Sequence, residues 1–151
     1  RRARSLRGAG SRPSRAVEPA QRDALATEVV AVIEQPDFAA IFGPGSRAEV
    51  PIVATLRQGD GRTRVLSGQI DRLVVRDGEV WVVDFKSNRP APMLAAQVSA
   101  QYLGQLEAYR RALATLYADK EIRCFLLWTD GPRLMEIPGA MLDAHGTNPT
   151  P

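Results

Sequence analysis

The chain is poor in cysteine, histidine and long apolar runs, and each shortage excludes a class of protein. Its 151 residues include one cysteine and one histidine. Cys124 alone can form neither an intrachain disulfide nor a multi-cysteine metal site, which suits a reducing compartment. No apolar stretch approaches the roughly 18 residues of a membrane span, and no signal-peptide core follows the first arginines. We therefore expect a cytoplasmic protein that has no membrane partner, with Cys124 buried in its core.

A nucleotide-binding P-loop is also absent from the sequence. Gly43 and Gly45 precede a predicted strand, whereas a P-loop requires Gly-Lys-Ser/Thr at the start of a helix. ATP hydrolysis and strand separation are therefore not expected of this chain.

Charge is divided unevenly along the chain. Residues 1–22 hold seven arginines and one glutamate, a net charge of +6, so the rest carries −3 although the whole chain is +3. This Arg-, Ser-, Pro- and Gly-rich segment is typical of disordered or non-native sequence. Because the chain begins with Arg and not Met, we expect a fragment of a longer protein. A folded domain is predicted over residues 23–143, with a flexible tail at 144–151.

Hydrophobic periodicity and turn residues predict an α/β fold with the element order α-β-β-β-α-β. The central strands carry apolar residues on both faces, which favours a mixed β-sheet flanked by helices. The predicted elements are a helix at Gln21–Glu34, an apolar turn at Phe38–Phe42, strands at Arg47–Leu56, Val65–Arg76 and Glu79–Lys86, a helix at Ser99–Tyr117, and strands at Glu121–Trp128 and Arg133–Ile137.

One predicted hairpin brings two acidic residues together. Asp77-Gly78 between two β-branched, apolar-rich runs is a strong signal for a two-residue turn. Pairing the residues that flank this turn sets Asp71 directly opposite Asp84, with their Cβ atoms roughly 4.5–5.5 Å apart. Facing like charges destabilise a sheet, so a compensating cation is expected beside them.

A lysine projects from the same face of this hairpin. Lys86 lies two residues beyond Asp84, and side chains alternate along a strand, so Phe85 points the other way. A hard cation held by carboxylates neutralises phosphoryl oxygens and lowers the pKa of water, while a lysine orients that water or stabilises charge on the phosphate. The alternative is a solvated face on which Lys86 simply pairs with the two acids.

Three ordered segments resemble the motifs of RecB-type nucleases, which belong to the Asp-(Asp/Glu)-x-Lys, restriction-endonuclease-like superfamily. They are Gly-x-Ile-Asp-Arg at 68–72, Val-Val-Asp-Phe-Lys-Ser-Asn at 82–88 and the Gln-x-x-x-Tyr helix at 102–109. The wider chain, from about residue 23 to about residue 143, resembles the C-terminal nuclease domain of the AddA helicase-nuclease subunit of the alphaproteobacterial type. The resemblance implies a restriction-endonuclease-like core.

The resemblance also implies a function. The activity would be that of a Mg²⁺-dependent DNA exonuclease, with Mn²⁺ as an alternative ion, in an enzyme that processes double-strand ends for recombinational repair. DNA, the helicase portion of a parent protein and an AddB-type subunit are the implied partners.

Residue roles follow from the same resemblance. Asp71 and Asp84 become metal-binding carboxylates, with the backbone carbonyl of Phe85 as a further ligand, and Lys86 becomes the catalytic lysine. Glu49 matches a strand glutamate at the edge of the metal site. Its alternative is an ordinary solvent-facing glutamate on the Arg47–Leu56 strand.

The implied DNA contacts lie on the helix and around the hairpin. Gln105 and Tyr109 are four residues apart and share a helix face beside the active site. Tyr109 also falls in a core-facing apolar stripe, so packing is its alternative role. Ser87 and Asn88 follow the catalytic lysine, where they reach a phosphate or merely end the strand, and Arg72 is a local cation.

Two other functions stay open, and one departure from the family pattern favours the first of them. Such nucleases usually carry a metal-binding histidine upstream of the first catalytic strand, whereas here the one histidine is His145, in the C-terminal tail. The first alternative is a catalytically silent nuclease-fold protein that binds DNA or docks a subunit. The second is an unrelated α/β interaction module.

Overall fold

The computed structural model describes residues 38–146 and, upstream of them, Asp23, Thr27 and Val30. These three residues are helical. The rest of the predicted Gln21–Glu34 helix, the arginine-rich residues 1–22 and residues 147–151 lie outside the described part. Within the described residues, no helix combines the length and apolar character that crossing a membrane requires.

Residues 38–146 form a mixed α/β structure. Its strands at 79–86, 121–128 and 133–137 have the predicted bounds, and the other predicted strands and the long helix differ by one or two residues at each end. In chain order the elements are α1 (Ala39–Phe42), β1 (Ser46–Arg57), β2 (Thr63–Val75), β3 (Glu79–Lys86), a 3-10 turn (Ala95–Gln97), α2 (Ala100–Leu116), β4 (Glu121–Trp128), β5 (Arg133–Ile137) and α3 (Gly139–Gly146).

The five strands form one sheet in the order β1-β2-β3-β4-β5. Strands β3 and β4 are parallel, and the other neighbours are antiparallel. Because parallel neighbours need a crossover connection, the chain leaves β3, forms α2 and returns as β4. The predicted mixed sheet with flanking helices is confirmed.

Two apolar clusters cover the two faces of the sheet. Alternate residues of β3 show this, since Val82 belongs to one cluster and Val83 to the other. Helix α2 packs on the Val82 face and buries Leu103 and Leu106 there. Ser99 starts this helix by accepting a hydrogen bond from the backbone N–H of its first turn, as an N-cap serine does. Helix α2 is thereby fixed against the face from which Asp84 and Lys86 project.

Helix α3 includes residues 144–146, which the sequence assigned to the flexible tail. Leu142 is buried in the core cluster, and Asp143 forms an ion pair with Arg110 of α2. These contacts with α2 stabilise a short helix that local periodicity did not reveal. His145 lies on this helix.

Candidate active site

The predicted hairpin register is confirmed. The backbone N–H of Arg76 donates to the carbonyl of Glu79 at 3.0 Å, and the β2/β3 pairs continue from Val75 with Val80 to Arg72 with Val83. Gly78 in the turn has φ +81°, a conformation that glycine adopts without strain. The next facing pair in this register is Asp71 with Asp84.

At that pair a hydrogen bond to a side chain replaces the regular main-chain pairing of β2 and β3. Oδ2 of Asp71 accepts the backbone N–H of Phe85 at 2.7 Å. This bond holds the Asp71 carboxylate against the backbone that carries Asp84. The two acids therefore meet where β2 and β3 stop pairing through their main chains.

An irregularity in β1 and β2 coincides with the site. Ile70, Leu73 and Val75 pack in one cluster, so the side-chain alternation of β2 shifts by one residue between Ile70 and Leu73. The facing position in β1 is Glu49, which has φ +52° and is left out of the ladder between two intact pairs. Such irregularities re-aim side chains next to active sites.

Asp84 is a buried carboxylate, with 4 % of its surface exposed. The ammonium of Lys86 contacts its Oδ2. Burial raises the pKa of Asp84, the hydrogen bond and charge of Lys86 act in the opposite direction, and the charge of Asp71 adds to the increase. The ionised form of Asp84 is thus unfavourable here unless positive charge is near it.

Besides Asp84, two side chains of one helix hold Lys86 in place. Its Nζ donates to Oε1 of Gln105 at 3.3 Å and lies 4.1 Å from the ring centroid of Tyr102. Both residues belong to α2. The structure therefore brings the predicted catalytic lysine and the predicted helix glutamine together, and it adds Tyr102, which the sequence analysis did not assign to the site.

Tyr109 supports Gln105 from within the core. Its side chain is buried, its hydroxyl accepts from Nε2 of Gln105 at 3.3 Å, and it donates to the carbonyl of Gln69 at 3.0 Å. Tyr109 thus has the core-packing role that the sequence offered as its alternative, and its hydroxyl lies beside the site.

The remaining predicted DNA contacts are divided between the two faces. Ser87 and Asn88 are exposed just beyond β3, and Asn88 accepts from the hydroxyl of Tyr102 at 2.9 Å. The guanidinium of Arg72 lies 4.9 Å from the ring centroid of Phe42, on the face opposite α2. The structure does not bring Arg72 to Lys86.

Asp71 and Asp84 fit a hard divalent cation, but Glu49 does not complete a larger set. Among the described residues, no three His, Cys, Asp or Glu side chains form a group that could hold a metal, and Glu49 is exposed. Magnesium is often held by one or two carboxylates together with waters and substrate phosphate. The two facing aspartates and the carbonyl of Phe85 match that donor chemistry.

Two further residues are His145, the one histidine of the sequence, and Gly68, which lies in β2. His145 lies on α3, the helix whose Asp143 pairs with Arg110 of α2. Gly68 was not singled out as a site residue from the sequence, yet a Cβ there would lie 2.7 Å from the hydroxyl of Tyr109. A glycine inside a strand, which marks close approach of another group, was the available signal.

A comparison with protein families identifies the superfamily of the chain. A family profile described as the PD-(D/E)XK nuclease superfamily matches residues 3–140, and the chain belongs to this superfamily. No curated protein matches it. Among solved structures, one described as "Crystal structure of SSO0001" is 16% identical over 81% of this chain, with a TM-score of 0.44. The chain spans about half of that structure, since the match covers 55% of it.

Proposed function

We propose that the chain is a metal-dependent deoxyribonuclease domain in which Asp71 and Asp84 bind the metal and Lys86 is the catalytic lysine. The observation that carries this proposal is the meeting of one ammonium with a buried carboxylate beside a second, backbone-anchored carboxylate. Such a combination suits phosphodiester hydrolysis, in which charge accumulates on phosphate oxygens in the transition state.

Each residue has a distinct part in the proposed reaction. A bound Mg²⁺ or Mn²⁺ ion would supply charge neutralisation at the phosphate and an acidified water. Asp71 and Asp84 would hold the ion, and the Phe85 N–H keeps the Asp71 carboxylate in place. Lys86 stabilises negative charge on the phosphate or orients the attacking water, from a position that Gln105 and Tyr102 restrain.

The DNA strand is proposed to approach over the exposed end of β3. Ser87 and Asn88 lie there with their side chains exposed, directly after Lys86 along the chain. Gln105 is half-buried beside Lys86, so it remains a candidate for a DNA contact. Arg72 lies on the other face, and we propose no phosphate contact for it in this pose.

The proposed biological context is an AddA-type helicase-nuclease that processes double-strand DNA ends as an exonuclease. Its support is the resemblance of the three motifs, and of the wider chain from about residue 23 to about residue 143, to that nuclease domain. The helicase portion of such a protein and an AddB-type subunit are the proposed partners. Supply of single-stranded DNA by such a helicase would fit a chain that carries no P-loop of its own.

Degradation of DNA by the purified chain tests the proposal. We expect linear duplex or single-stranded DNA to be degraded with Mg²⁺ or Mn²⁺ and to stay intact with EDTA, while a covalently closed circle of the same sequence resists. The linear and circular substrates are matched in composition, so the difference reports the need for an end. Cleavage at full rate in EDTA would contradict a metal-dependent nuclease, and rapid cutting of the circle would contradict an exonuclease.

A catalytically silent nuclease-fold protein is the second candidate. It is favoured by the absence, among the described residues, of a three-ligand metal group. This candidate predicts a calorimetric signal for Mg²⁺ that disappears in Asp71→Ala, together with DNA binding but no cleavage at any metal concentration. Cleavage that depends on Lys86 would rule it out.

A further inference from the structure

A series of hydrogen bonds links Lys86 through Gln105 and Tyr109 to the backbone of Gln69. The groups at its two ends fix which partner donates in each bond. An ammonium only donates, and Nζ of Lys86 donates to Oε1 of Gln105 at 3.3 Å. A backbone carbonyl only accepts, and that of Gln69 accepts from the hydroxyl of Tyr109 at 3.0 Å. The Tyr109 hydroxyl, with its proton committed to Gln69, accepts from Nε2 of Gln105 at 3.3 Å.

This polarity makes Tyr109 responsible for the orientation of the Gln105 amide. If the amide turned over, its NH₂ group would face the ammonium of Lys86, and two donors would oppose each other. The Tyr109 hydroxyl prevents this because it offers an acceptor to Nε2. Lys86 therefore depends on Tyr109, acting through the Gln105 amide, for one of its acceptors.

Gly68 provides the space in which the Tyr109 hydroxyl sits. A Cβ at position 68 would lie 2.7 Å from Oη of Tyr109, 3.1 Å from Cε1 and 3.3 Å from Cζ. The ring cannot move aside without disturbing the core, because Tyr109 is 4 % exposed and packs between α2 and the sheet. Any side chain at position 68 would thus displace the hydroxyl from Gln69 and Gln105.

We propose that Gly68 and Tyr109 are positioning residues for Lys86 that act through Gln105. The proposal rests on the catalytic role of Lys86 stated above. The hydrogen bonds that position Lys86 can nevertheless be measured without any cleavage of DNA. Neither residue is required to touch substrate, since Tyr109 is buried and Gly68 has no side chain. Their effect is to fix where the ammonium lies relative to Asp84.

The NMR signals of the Gln105 side-chain amide, in a ¹⁵N-labelled protein, report directly on these hydrogen bonds. We expect Tyr109→Phe and Gly68→Ala each to shift its two NH₂ resonances and to speed their exchange with water. Gly59→Ala is the matched control, because an added Cβ at Gly59 meets nothing within 4 Å. Unchanged Gln105 resonances in a folded Gly68→Ala or Tyr109→Phe variant would overturn the proposal.

Kinetics then separate positioning from DNA contact. We expect Gly68→Ala and Tyr109→Phe each to lower kcat about tenfold while KM for DNA stays within about twofold, because small misplacements of a reacting group slow the chemical step. The double variant Gly68→Ala/Tyr109→Phe should be no slower than the slower single variant, since the hydroxyl that meets the new Cβ is gone. A rise in KM with kcat unchanged, or fully additive losses, would contradict the proposal.

A carboxylate at position 105 provides the rescue test. Its two oxygens are equivalent acceptors, so its orientation no longer needs the Tyr109 hydroxyl. In a Gln105→Glu background, Tyr109→Phe should therefore change kcat by less than about twofold, and an unreduced loss would overturn the positioning role. If the unmodified chain cleaves no DNA, the proposed function fails, and the Gln105 resonances still decide whether Gly68 and Tyr109 set the amide.

Discussion

Replacing Lys86 with glutamine is expected to lower the rate of metal-dependent DNA cleavage by about a thousandfold, because charged groups aimed at a developing oxyanion contribute roughly this much. Glutamine keeps a donor for Asp84 and Gln105 but carries no charge. It therefore removes the proposed electrostatic role while leaving side-chain length and polarity similar. Single-turnover cleavage of an end-labelled DNA at saturating Mg²⁺ measures the loss.

The chain offers a closely matched control for this substitution. It contains one other lysine, Lys120, which directly precedes β4 and lies at the opposite end of the β3/β4 pairing from Asp84. Lys120→Gln should retain cleavage within about twofold, since surface substitutions away from special features usually have small effects. Equal losses in the two variants would indicate a general charge effect, and a fully active Lys86→Gln would contradict the assignment of Lys86.

The thermal stability of the Lys86→Gln variant is measured together with its cleavage rate. Lys86 is the ion-pair partner of the buried Asp84, and removing one partner of a buried pair typically costs about 3–5 kcal/mol. We therefore expect the metal-free Lys86→Gln protein to melt at a lower temperature. The cleavage measurement is made below that temperature, with circular dichroism showing that the variant is folded.

The second large effect is expected from removing a carboxylate. Mg²⁺ at a hundredfold excess over its dissociation constant should stabilise the unmodified chain by about 2.7 kcal/mol, since only the folded state assembles the site. Asp71→Asn and Asp84→Asn should each abolish this increase in melting temperature. Cleavage should fall in parallel, because the phosphate then loses the bound cation.

Asp119→Asn is the control for the loss of one negative charge. Asp119 is exposed in the turn between α2 and β4, so its substitution should leave the Mg²⁺-induced stabilisation unchanged. Titration calorimetry gives an independent reading of the same binding. Mg²⁺ binding that persists in both Asp71→Asn and Asp84→Asn would place the metal elsewhere and remove the basis of the proposed site.

The local parts of the site could be predicted from the sequence because one turn determines them. Asp77-Gly78 fixes the β2/β3 register, and that register brings Asp71 to Asp84. Strand alternation then puts Lys86 on the face of Asp84, where the structure finds it. The same alternation already places Arg72 on the other face, since it directly follows Asp71, and the structure agrees.

The remaining features depend on long-range packing that local patterns do not encode. The shift of alternation in β2 is hidden because residues 73–75 are all apolar, so either face could have been the buried one. The ring of Tyr102 reaches Lys86 only through the docking of α2 on the sheet. The need for glycine at position 68 arises from the close approach of Tyr109, which is distant in the sequence. In the register of β1 with β2, Glu49 lies opposite Asp71. Its left-handed backbone conformation breaks the β1/β2 pairing at that position.

The most direct test of the metal site is a crystal structure of the chain grown with Mn²⁺, with the ion located by its anomalous scattering. We expect one strong peak in contact with the carboxylates of both Asp71 and Asp84, at about 2.0–2.3 Å from their oxygens as in other sites for small divalent ions. Lys86 should keep its hydrogen bond to Gln105 beside it. A peak bound by other residues, or none at saturating Mn²⁺, would show that these two aspartates are not the metal ligands.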